Sequence, residues 1–113
     1  MEDWQLDYEW LKVRHRIKDK FSKEELPDLN AILFLIGIQE VGQQRKFSKE
    51  EKQDLMHVAV CTLLAKIGMY EKVGTDDEGW PHFELIKQLT PLSREEQEEV
   101  LKEQVVLYFD KNW

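Results

Sequence analysis

"YEKVGTDDEGWPHFELIKQL", Tyr70–Leu89, is the stretch on which the fold class turns. Tyr70–Val73 and His82–Leu85 can pair as a hairpin around "TDDEG", because two short runs flanking a polar, Gly-containing cluster have that signature. A loop followed by a short helix starting at Pro81 fits equally well, since Pro suits the first helical position. The reading adopted is a loop with a short helix or extended piece. Gly68–Pro91 then becomes the irregular part of an otherwise helical chain.

The segments on either side read as helices. "FSKEE" occurs at Phe21–Glu25 and Phe47–Glu51, and "LSREE" at Leu92–Glu96. Ser22/Glu25, Ser48/Glu51 and Ser93/Glu96 have the spacing of a capping box, in which Ser and Glu satisfy each other's backbone N–H groups. The motif therefore reads as three helix starts and holds nothing reactive. Pro27 disturbs the first copy: it disfavours helix at Leu26 and inside the following turn. Ser22–Leu26 is expected to make a short turn, with the next helix starting near Pro27 or Asp28.

The first helix is expected over about Asp3–Lys20, with Leu6, Trp10, Val13, Ile17 and Phe21 on one stripe. Trp4, Tyr8 and Leu11 form a second stripe, well over a right angle away. A helix packed on one side of a small bundle needs only one. The second helix, about Asp28–Val41, contains "NAILFLIGIQEV" and is apolar almost all round, as a central helix is. Gly37 costs roughly 1 kcal/mol there relative to Ala, which close approach of a neighbouring backbone would explain. The third, about Lys49–Ile67, is expected to bury Met56, Ala59, Val60, Leu63, Leu64 and Ile67, with Gly68 as C-cap. The last, about Arg94–Asp110, is expected to turn Val100, Leu101, Gln104, Leu107 and Tyr108 inward, leaving Val105, Val106 and Phe109 to point elsewhere. The expected fold is all-α: a single-domain bundle of four main helices over residues 1–113.

Composition limits the function. The 113 residues carry a net charge of −7. Residues 1–74 hold 12 basic and 13 acidic side chains, and residues 75–113 hold 4 and 10. Nucleic-acid binding normally needs a basic surface, so it is disfavoured. The one basic stretch, "KVRHRIKDK" at Lys12–Lys20, reads as a solvated helix face. The longest apolar run, Ala31–Ile38, is too short for a bilayer, and "MEDWQLDYEW" lacks the form of a secretory signal. With Cys61 the single cysteine, the expected location is the cytoplasm.

Glu50, Asp54, His57 and Cys61 share one flank of the third helix. His and Cys at i, i+4 can reach one metal, and Asp54 can add an oxygen. One helix cannot close a tetrahedral site, however, and no CxxC or HExxH pattern exists. His82 completes the set only if its segment folds over this flank. A mid-helix Cys61 beside acidic neighbours also lacks the positive setting of a nucleophile. Asp76, Asp77 and Glu78 before Gly79 lack the alternating ligands and closing Glu of a calcium loop. No metal, catalytic residue or cofactor is therefore expected.

"DLMHVAVCTLL", "GWPHF" and "EEVLKEQVVLYF" together resemble a family of short bacterial proteins with no assigned activity, over roughly residues 27–110. The resemblance implies a bacterial cytoplasmic protein and transfers no site residues. What stands out is apolar surface beyond the needs of a small core. The reading preferred is a protein-binding and self-associating domain, with Trp4, Tyr8, Val106, Phe109 and Trp113 as its interface. The alternative is a small-ligand binder or enzyme whose site lies between the third helix and Gly68–Pro91, using Asp54, His57, Cys61, Trp80 and His82.

Overall fold

A computed structural model describes residues 2–43, 45–87 and 93–112. The elements are α1 (Asp3–Lys20), α2 (Leu29–Val41), α3 (Lys49–Ala65), β1 (Tyr70–Thr75), β2 (Pro81–Leu85) and α4 (Arg94–Asn112). They form two compact units, one of Met1–Leu29 with Leu92–Trp113 and one of Asn30–Pro91. No helix among the described residues is long and apolar enough to cross a membrane.

The expectation of an all-α chain is corrected by the hairpin. β1 and β2 pair antiparallel, from Tyr70 opposite Leu85 to Thr75 opposite Pro81, with an irregularity between Lys72 and Gly74. Local chemistry shapes the turn. Asp76 closes the turn with its own backbone: its N–H donates to Trp80 O at 2.9 Å, and its carbonyl accepts from Gly79 N–H at 3.0 Å. Pro81 thus opens a strand instead of a helix. At a strand's first residue the missing N–H breaks no interior ladder bond.

In the unit built from the chain ends, α1 packs on α4. Leu6, Trp10, Val13 and Ile17 are the buried stripe of α1, as their spacing predicts, while Phe21, expected on the same stripe, lies past the helix end and is exposed. On α4 the buried residues are Val105, Val106, Tyr108 and Phe109, while Leu107 is 49% exposed. The expected inward face was therefore wrong by roughly one residue, about 100° of rotation. The end of α4 is apolar around most of its circumference, so its pattern alone does not choose a side. Tyr108 and Phe109 meet edge to face at 5.3 Å. Lys102 lays its ammonium 5.6 Å from the ring centre of Trp10.

The first "FSKEE" stops α1 and starts nothing. Ser22 takes φ +51°. Its N–H bonds Asp19 O, and Lys23 N–H reaches Lys18 O at 3.0 Å. This is the Schellman closure, which calls for a left-handed residue just past the helix. The capping-box reading of Ser22 and Glu25 is corrected accordingly. Ser48 and Glu51 do form the full box at the start of α3. Ser93 and Glu96 exchange the same two bonds, at 3.0 and 3.1 Å, before α4.

In the central unit, α2 crosses α3 at Gly37. A Cβ built there would stand 2.7 Å from the Leu55 carbonyl carbon and closer still to its oxygen. The unfavourable glycine thus lets two backbones touch. α3 buries Leu55, Val58, Ala59, Cys61, Thr62 and Leu63, whereas Met56, Val60 and Leu64 are only partly buried and Ile67 is exposed. The face is again rotated by about one residue from the expected one. Thr62 is admitted because its hydroxyl donates to Val58 O at 2.8 Å. Past the helix, Gly68 at φ +81° permits the same closure that Ser22 makes, with Met69 N–H on Leu64 O. Val41, Leu55 and Val58 centre a cluster onto which Phe34, Ile38, Phe47, Trp80 and Phe83 pack.

In an open helix Gly→Ala gains about 1 kcal/mol. Here Gly37→Ala is expected to cost about 1–3 kcal/mol, because the methyl meets backbone that cannot rotate away. The urea midpoint of the variant against the wild type checks the sign.

Candidate functional site

Two places invite a functional reading. The first is a groove of about 370 Å³ in the central unit. Glu51, Asp54, His57 and Val58 of α3 line one side, and Asp76, Glu78 and Trp80 to Phe83 line the other. The hairpin thus brings His82 to the α3 flank that holds Asp54 and His57, the proximity that the sequence left open.

Cys61 does not share that setting. It is 1% exposed, and burial pushes its thiol above the ordinary value, away from the reactive thiolate. Its sulfur lies 3.5 Å from His57 Nε2. Asp54, His57 and His82 are exposed, and Glu50 does not line the groove. Among the described residues no three His, Cys, Asp or Glu side chains are arranged to hold a metal ion.

Asp76 belongs to the turn as much as to the groove. One carboxylate oxygen accepts from the backbone N–H groups of Glu78 and Trp80, at 2.9 and 3.0 Å. The other meets His82 Nε2 at 2.9 Å. The His82 bond first, and the Trp80 N–H next, hold the Asp76 carboxyl below its ordinary value. With both oxygens engaged, Asp76 orders the hairpin and is poorly placed to take a proton from a substrate.

Sequence reasoning missed the network at the groove's other end. Arg45 grips Glu51 with two bonds, at 2.6 and 3.2 Å, and donates to the Gln43 side chain at 3.0 Å. The Gln43 amide in turn bonds the Glu78 carbonyl. Arg45 also stacks on Phe47 at 4.5 Å, and Phe47 meets Trp80 edge to face at 6.3 Å. Trp80 Nε1 is buried with no hydrogen-bond partner. A Glu at the third position of a helix was legible as a cap; its pairing with an arginine in the preceding loop was not.

The second place is the outer face of α1. Trp4 is 68% exposed, Tyr8 58% and Leu11 44%. His15, also exposed, continues the stripe one turn on. At about 100° per residue, this stripe lies roughly 160° from the buried one. Trp4 Nε1 donates to Glu2 at 3.1 Å, and the Lys12 ammonium sits 5.3 Å from the Tyr8 ring centre. Of the expected interface residues, Trp4 and Tyr8 are on the surface. Val106 and Phe109 are in the core, at 2% and 3% exposure, and are withdrawn from that surface. Trp113 lies outside the described residues.

Comparison with known proteins finds no matching family model, no significantly similar curated protein and no significantly similar solved structure.

The Arg45 grip, with the Ser48 N–H bond next, lowers the Glu51 pKa to about 2. A depressed carboxyl stabilises the fold fully above its unfolded value near 4.5, and that contribution disappears as pH falls towards 2. Urea midpoints between pH 5 and 2 are expected to fall less steeply for Glu51→Gln than for the wild type. Equal slopes would show that the pair contributes nothing.

Proposed function

We propose that the protein works by binding another protein through the outer face of α1, in a cytoplasmic setting. The observation that carries this is the exposed stripe Trp4, Tyr8 and Leu11, set opposite the face that α1 already buries. An amphipathic helix satisfies its fold with one apolar stripe. Contiguous exposed apolar area beyond that is a mark of an interaction surface, and Trp and Tyr are favoured anchors there. Glu2, Asp3, Asp7 and Lys12 border the stripe and suit the polar rim of an interface. The net charge of −7 speaks against a nucleic-acid partner. A single buried cysteine fits a reducing compartment.

Affinity purification from the native host tests this, with tagged wild type beside tagged Trp4→Glu. Trp4 is exposed, so the substitution is expected to leave the circular dichroism and urea midpoint near wild type. A partner recovered with wild type and depleted at least about tenfold with the variant supports the reading. Identical recovery with both would sink it.

The groove supports a second reading, a small-ligand binder. Its volume of about 370 Å³ falls within the range of small-molecule sites, and it combines carboxylates, His57, His82 and an aromatic ring. Imidazole resonances of His57 and His82 are expected to shift together when a matching small cation or amine is titrated in. A panel of such compounds that moves neither ring would count against this site.

A further inference from the structure

We infer that the occupant of the α1 outer face is a second copy of this chain, its α1 lying antiparallel to the first about a two-fold axis. The inference rests on the reading of that face as a binding surface and names the partner.

The spacing of the stripe comes first. Trp4, Tyr8, Leu11 and His15 are separated by four, three and four residues. That order is the same from either end. A two-fold axis between residues 9 and 10 therefore sets Trp4 against His15 of the other copy and Tyr8 against Leu11. A self-complementary patch is the requirement of an isologous contact, in which one surface serves both partners. The spacing permits self-pairing without selecting it, since the buried stripe Leu6, Trp10, Val13 and Ile17, which packs on α4, has the same separations.

The charges select the partner. Glu2, Asp3, Asp7 and Glu9 occupy the first half of α1 and its cap. Lys12, Arg14, Arg16, Lys18 and Lys20 occupy the second half, interrupted by Asp19. A parallel pair would set like charges side by side. An antiparallel pair sets the acidic half of each helix along the basic half of the other, and such complementarity selects orientation and partner. A two-fold axis across the pair also brings each flank of the stripe against the same flank of the other copy. By helical rotation, Asp3 and Lys18 share a flank, so Asp3 of each chain lies near Lys18 of the other. Arg14 and Asp7 share it as well. Arg14 Nε is already held by Pro27 O at 2.8 Å, so Lys18 is the cation chosen for the test.

One helix face is at the low end of what specific interfaces bury, so the dimer is expected to be reversible, with a Kd of order 10 µM.

Sedimentation velocity of the full chain from about 1 to 300 µM, a range bracketing that Kd, reads the assembly directly. Wild type is expected to shift from monomer to dimer across the series, and Trp4→Glu to weaken the dimer at least about tenfold. Asp3→Lys and Lys18→Glu are each expected to weaken it severalfold, and the double variant Asp3→Lys/Lys18→Glu to recover most of the loss. Circular dichroism and the urea midpoint of each variant establish that it is folded before it is scored. A wild type that stays monomeric throughout overturns the second copy as occupant. The protein-binding reading then still stands, since it fails separately, when Trp4→Glu leaves the captured partners unchanged. A dimer indifferent to Trp4→Glu uses another face and also overturns the inference. Single reversals without recovery in the double variant overturn the antiparallel register.

Discussion

At Gly37 the backbone of α2 runs so close to the backbone at Leu55 of α3 that no side chain fits between them. The rest of the central unit follows from that contact. Close-packed interiors tolerate few voids, so two helices this near must interlock through the residues beside the crossing. Leu55 and Val58 meet Val41 there, and the apolar platform they make receives Phe47, Trp80 and Phe83. An isolated two-stranded hairpin is marginal in water, and this one gains its place from the two aromatic rings it lays on the helices. The groove beside His57 is a by-product of the arrangement. It opens where the turn leaves the platform and α3 turns its charged flank outward.

The loop between α2 and α3 and the hairpin turn hold each other. Gln43 bonds the Glu78 carbonyl, Arg45 joins Gln43 to Glu51, and Glu51 caps α3. Exposed ion pairs contribute little singly. This one is bidentate and shares its carboxylate with a helix cap, so the bond that starts α3 also sets the path of the loop before it. Asp76 does the same for the turn, answering two backbone N–H groups and His82 at once. Much of the charge around the groove is thus engaged in shape.

On α1 the two faces have different tasks. Leu6, Trp10, Val13 and Ile17 satisfy the packing of the helix, while Trp4, Tyr8 and Leu11 stay in water. The acidic first half and basic second half also follow the helix dipole, so a structural benefit accompanies any role in pairing. What points past structure is that this charge order flanks an exposed aromatic stripe on the outward face.

The sequence by itself determined the four helices, because period, caps and stop signals act within a few residues. The ends of α1 and the start of α3 fall where local chemistry put them. It also singled out Gly37 as a close approach and the outer stripe of α1 as surplus. Tertiary structure decided the remainder. The two fates of "FSKEE" are not among these, since Pro27 in the sequence already bars a helix after the first copy. α3 and the end of α4 are apolar around more than half their circumference, so only their neighbours chose the buried side, sending Val106 and Phe109 inward and Leu107 out. Tyr70–Leu85 became a hairpin because Phe83 and Trp80 had a platform to cover. A short run with turn chemistry at its middle has no preference strong enough to decide that alone; burial of two rings against residues far along the chain supplies the difference.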